Sequence, residues 1–137
     1  MPRFEVIDHT ADVGIVAYGT DLREAFANAA YGMFSLIPEL DNVGEAVRRS
    51  VDVQAPDREA LLVAWLNELI YIFDVEYIIF KRFDITDLTD TRLQAAAYGD
   101  KVDMSRHRLK TAVKGATYHS LKVERENGHR VQVILDV

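Results

Sequence analysis

At 137 residues, with 49% hydrophobic and 28% charged side chains, the chain is sized for one domain built on a single core. Its net charge is −6, and its densest basic stretches are only Arg48-Arg49 and the sparse segment 101–114. Tight nucleic-acid binding, which depends on Lys and Arg neutralising phosphates, is not expected. There is no cysteine, no apolar run of bilayer length and no signal-peptide core, so the expectation is an intracellular protein without disulfides, thiolate metal sites or a membrane partner.

Residues 4–7 read as a short strand, and 13–19 as another with weak alternation. Thr20 or Asp21 then caps a helix, with Glu24 following as in a capping box. Leu22, Ala25, Phe26, Ala29, Ala30, Met33, Phe34 and Ile37 recur at three- and four-residue steps, and Pro38 ends the helix. Residues 39–44 form an acidic loop, and 46–55 alternate as a strand. Asp57 caps a second helix whose buried face carries Leu61, Leu62, Trp65, Leu66, Leu69, Ile70 and Phe73. Trp65 is expected to anchor the core, and Asn67 and Glu68 to lie at the helix edge, solvated or capping a neighbour.

From Glu76 onward the chain turns β-rich. Strands are expected at 77–85, 91–98, 110–118, 121–126 and 130–137, with a turn at 87–90 and Gly99-Asp100 ending the second of them. Asn127-Gly128 marks a hairpin between the last two. The sum is an α+β fold: a two-layer domain with a mainly antiparallel sheet and two helices packed on one face, spanning residues 1–137.

Chemistry concentrates in three places. Asp8-His9-Thr10-Ala11-Asp12 puts two carboxylates, an imidazole and a hydroxyl within five positions. An Asx-type turn accounts for this as readily as a ligand site does. The closing Leu135-Asp136-Val137 sets a side-chain carboxylate beside an α-carboxylate. Residues 112–119 bring a lone lysine, Lys114, with Gly115 and the Tyr118-His119 pair. If the last strand pairs near the first turn, Asp12, Asp136 and the Val137 carboxylate converge. Such hard oxygen ligands suit Mg²⁺, Ca²⁺ or Mn²⁺. His107 and His119 read as surface or hydrogen-bonded structural histidines, and Tyr118 as a packing residue with a wet hydroxyl.

The combination of Asp8-His9-Thr10-Ala11-Asp12, the Trp65-Leu66-Asn67-Glu68-Leu69 run, residues 113–119 and the closing Leu135-Asp136-Val137 resembles the archease family across essentially the whole chain. The resemblance implies a small cytoplasmic protein that is not itself an enzyme. It would activate the tRNA-splicing RNA ligase, promoting its nucleotidylation and multiple turnover and widening its nucleotide use. It further implies that Asp12, Asp136 and Val137 ligate a divalent cation, Ca²⁺ first with Mg²⁺ or Mn²⁺ as alternatives, and that Lys114 is required for activation. Asp8 and His9 fall inside the motif as residues that would stand behind the ligands and orient the turn, with no ligand role carried over. Two departures, Asp100 where the family usually has glutamate and Gly115 where an apolar residue is common, concern sheet packing. Two other readings compete: a metal-dependent phosphoester hydrolase using the same acids, and a general chaperone-like binding module.

Overall fold

The fold is described from a computed structural model covering residues 3–9, 12–124 and 128–137, with the side chains of Asp8 and His9 outside the described set. Strands β1 (Phe4–His9) and β2 (Asp12–Gly19) precede helix α1 (Leu22–Ser35). Strand β3 (Val47–Gln54) leads to helix α2 (Arg58–Glu76), and β4 (Ile78–Leu88), β5 (Arg92–Lys101), β6 (Gly115–Glu124) and β7 (His129–Asp136) complete the chain. The α+β class and the antiparallel pairing are as the sequence implied. The strands divide between two sheets, ordered β1-β2-β7-β6 and β3-β5-β4.

Both helix starts follow from their caps. The Asp21 carboxylate accepts the Glu24 N–H at 2.8 Å, while the Glu24 side chain accepts from Thr20 N at 3.1 Å. Asp57 accepts the Ala60 N–H at 2.8 Å. The α1 stripe Ala25, Phe26, Ala29, Ala30, Met33 and Phe34 is wholly buried. Helix α2 is buried over more than one face, because it packs against β6 of one sheet and against β3, β4 and β5 of the other. It ends with Tyr77 in the left-handed region (φ 57°), whose N–H bonds the Phe73 carbonyl at 2.8 Å.

The core lies where the helices meet both sheets. Phe34 packs edge-on to Phe80 (centroids 5.8 Å) and stacks on Phe83 (6.1 Å), and Trp65 meets Phe83 edge-on at 5.9 Å. The Trp65 indole N–H donates to the Phe26 carbonyl at 3.1 Å, tying α2 to α1. Trp65 is therefore the anchor its helical spacing implied, with its polar atom satisfied.

Several element boundaries differ from expectation: β1 runs on to His9, and β4 runs on to Leu88, into the turn expected at 87–90. Strand β5 runs through Gly99 and Asp100 to Lys101, because Gly99 lies so close to β4 that a Cβ there would meet the Ile79 carbonyl. Residues 103–114 are not the start of a strand; β6 begins only at Gly115 and absorbs the two segments read separately. The preceding stretch is instead spent on covering helix ends. Lys110 N–H bonds the Ile37 carbonyl past the end of α1, and buried His107 bridges Asp103 N (2.9 Å) to the Asn42 carbonyl (3.0 Å). His107 is thus a structural residue. Of the expected hairpin, Asn127 and Glu126 lie outside the described residues; the flanking strands pair antiparallel with Glu124 opposite Arg130, and Gly128 holds φ 97°. Among the described residues, no helix is long and apolar enough to cross a membrane.

Candidate metal-binding tip

The β1-β2-β7-β6 sheet gathers the candidate residues at one end. The β2–β7 register sets Asp12 directly opposite Asp136, and the β6–β7 register sets Gly115 on the other side of Asp136. The β1–β2 register places His9 opposite Asp12. A row of four strand positions therefore runs His9, Asp12, Asp136, Gly115. Lys114 joins it through its backbone, with its N–H donating to the Asp136 carbonyl at 2.7 Å. Val137 follows directly and is half-buried against the core.

The bonding alternation makes the acidic pair close. Tyr18 N–H bonds the Arg3 carbonyl, so in this ladder Arg3, Glu5, Ile7 and His9 exchange backbone bonds with Tyr18, Val16, Gly14 and Asp12. Asp12 thus turns its backbone groups toward β1. It faces Asp136 at a non-hydrogen-bonded site, where Cα atoms come within about 4.5 Å and side chains share one face. Two carboxylates so placed repel each other unless something positive lies between them. Among the described residues, Asp136 and Lys114 enter no ion pair, and both are exposed.

One further residue supports the tip. The Asn67 side chain on α2 accepts the Ala116 N–H at 2.7 Å and donates to the Ala116 carbonyl at 3.5 Å. It clamps the start of β6, two residues from Lys114. A Cβ at position 115 would stand 3.3 Å from the Asn67 oxygen, so Gly115 gives this clamp room. The neighbour-capping alternative for Asn67 is what the fold uses. Its connection to Lys114 was hidden because the contact joins distant parts of the chain.

Among the described residues, no three His, Cys, Asp or Glu side chains group as a metal cage. The side chains of Asp8 and His9, expected to stand behind the ligands, lie outside the described residues. A concavity of about 300 Å³, lined by Arg3, Tyr18, Gly19, Thr20, Glu24, Asn28 and Gly128, lies at the opposite end of β2 from Asp12. At the tip, Asp136 and Lys114 are both exposed and bring opposite charges to one strand end.

Comparison with known proteins gives this architecture a family. The family model described as the archease protein family (MTH1598/TM1083) matches residues 4–137. The chain belongs to the archease family. It is 36% identical over 140 residues to protein archease of Methanosarcina acetivorans, covering 98% of this chain and 96% of that one. Against protein archease of Pyrococcus abyssi it is 40% identical over 128 residues, 91% and 90% of the two chains. The solution structure of Methanobacterium thermoautotrophicum protein 1598 superposes with a TM-score of 0.86 at 38% identity, over 100% of both chains. A Thermotoga maritima crystal structure, described as an archease and possible chaperone, shares the fold with a TM-score of 0.65 at 19% identity, covering 96% of this chain and 94% of that one.

Proposed function

We propose that this archease is an accessory factor of the tRNA-splicing RNA ligase, acting in the cytoplasm and not itself an enzyme. Asp12, Asp136 and the Val137 carboxylate hold a divalent cation, and Lys114 contacts a phosphate or an acidic group on the ligase. The observation that carries this reading is the placement of Asp12 directly opposite Asp136, with Lys114 bonded to the same strand end. Two carboxylates facing each other on a sheet offer adjacent oxygen donors that one divalent cation could bridge. Carboxylate oxygens favour hard ions, and Ca²⁺ tolerates an open site completed by backbone carbonyls and waters better than Mg²⁺ does. Bound there, the cation would supply positive charge to a phosphate or carboxylate presented by the partner. Lys114, a compact point charge on a flexible stem, adds a second positive contact. The net charge of −6 fits docking on a protein more than gripping RNA.

The test is ligation by the cognate ligase with RNA in excess, with divalent metal and nucleotide present. Wild-type protein is expected to convert a single turnover into many, and Asp136→Ala to leave the ligase at its unassisted level. Equal stimulation by a folded Asp136→Ala protein would remove the tip from the account. A general chaperone role predicts many clients and indifference to Asp136; the Thermotoga maritima structure is described only as a possible chaperone.

A further inference from the structure

Four strands form the edges of the two sheets: β1 and β6 in one, β3 and β4 in the other. An open edge offers unpaired N–H and C=O groups to any other strand, and proteins blunt such edges with bulges, twists and charge. Strand β6 breaks register between Thr117 and Lys122, with Ser120 at φ 51°. Strand β4 slips twice, at Phe80/Arg82 and Ile85/Asp87, and exposes Arg82, Asp84 and Asp87. Strand β3 shows Arg48, Ser50, Asp52 and Gln54 at alternate exposed positions. Strand β1 has neither a bulge nor a register slip, and its exposed charge is the acidic Glu5. Its register with β2 is unbroken from Phe4 to His9, and it exposes two adjacent β-branched residues, Val6 at 46% and Ile7 at 41%.

The ladder alternation described above identifies the free groups. Glu5, Ile7 and His9 bond inward to β2, which turns the backbone N–H and C=O of Phe4, Val6 and Asp8 outward. The strand also ends at the acidic tip, since His9 lies opposite Asp12.

We propose that β1 is a strand-addition site. Its occupant is an extended segment of the ligase partner in which apolar residues alternate with Lys or Arg, laid along Phe4, Val6 and Asp8 and leading to the tip. This rests on the functional reading given above. Main-chain bonds would supply affinity and the alternate side chains selectivity, as in other strand-addition complexes. Charge decides between occupants. The strand's own ionisable side chains are acidic, Glu5 and Asp8, with His9 at its end. A second copy laid antiparallel on the same outward groups, with Val6 opposite Val6, sets Glu5 against Ile7 and Asp8 against Phe4, so it gains no charge partner at either acid and joins two molecules that each carry −6. A basic strand meets attraction at the same positions.

Amide hydrogen exchange of the wild-type protein, with and without the cognate RNA ligase, tests this alongside the ligation assay. Exchange at Phe4, Val6 and Asp8 is expected to slow by an order of magnitude or more when the ligase binds. Val6→Pro removes an outward N–H while leaving the β2 ladder intact, and is expected to weaken ligase binding about tenfold without loss of the folded state. Val6→Lys, which blunts the edge by charge, should act in the same direction if the proline variant misfolds. Ligase that is bound and stimulated, with exchange at the three amides unchanged, overturns the strand-addition site and leaves the accessory function standing. No binding and no stimulation overturns both.

Discussion

Charge is arranged differently on the β3-β5-β4 sheet and at the tip end of β1-β2-β7-β6, whose other end pairs Arg130 with Glu124. On β3-β5-β4, acid meets base. Asp52 takes hydrogen bonds from Arg92 at 2.7 Å and from Gln94 at 3.3 Å, Arg49 reaches Glu76 at 2.8 Å, and Arg82 joins Glu45 and Asp84, each at 2.7 Å, while stacking on Tyr98. At the end of β1-β2-β7-β6, acid meets acid, with Asp12 opposite Asp136. A sheet that needed only to be stable would use the first pattern throughout. The second sets two carboxylates side by side, an arrangement whose mutual repulsion a bound cation would offset.

The largest effect expected from breaking this contrast is on metal linkage. Ca²⁺ at a hundred times its dissociation constant should stabilise the wild-type protein by about 2.7 kcal/mol, since a ligand that binds only the folded state adds that much. Asp136→Asn should lose most of this gain. Without metal, the same variant should be more stable than wild type by about 0.2–1 kcal/mol, the usual scale of a cross-strand charge pair. Thermal melts with and without Ca²⁺ read both signs. An Asp136→Asn protein that is less stable than wild type in metal-free buffer would contradict the repulsion.

A smaller effect separates the tip's shape from its charge. Asn67→Ala removes the clamp on Ala116 and should cost about 1 kcal/mol, the typical value of one such hydrogen bond. It should also lower ligase stimulation while leaving the cation affinity nearly unchanged, because both aspartates are held by the β2–β7 ladder and not by α2. Titration of metal binding beside the ligation assay distinguishes the two.

The smallest effect concerns the paired sheet. A hydrogen bond from Arg92 holds the Asp52 carboxyl below its ordinary range, and one from Arg49 does the same for Glu76, with desolvation opposing in each case. A carboxylate with a depressed folded-state pKa stabilises the fold above its unfolded pKa and loses that contribution as pH falls through the folded one. Stability should therefore decline as pH drops below about 4, the ordinary carboxylate range. An Arg92→Gln, Arg49→Gln double variant should show a shallower decline in melts taken between neutral and acidic pH.

Much of the local structure was legible in the sequence because its causes are local. Asp21 and Asp57 cap helices by reaching N–H groups three residues on, and the stripes on α1 and α2 repeat at the pitch of the helix itself. Trp65 followed from the same logic. Of the expected strand 110–118, residues 115–118 belong to β6 and 110–114 do not, because the alternation is short and whether it extends depends on neighbours. The fold instead draws Lys110 onto the end of α1 and uses His107 as a bridge, leaving β6 to begin at Gly115.

The acidic and basic residues of the tip could be named from the chain, but their meeting could not be derived from spacing. Asp12 lies near one end and Asp136 at the other, and only the pairing of β2 with β7 sets them face to face. The division into two sheets, the Asn67 clamp and the open edge of β1 are likewise products of tertiary structure. Periodicity reports which face of an element is buried, but not which strand becomes its neighbour. Strand neighbours are chosen by the packing of the whole core, so partners distant in sequence appear only once the chain has folded.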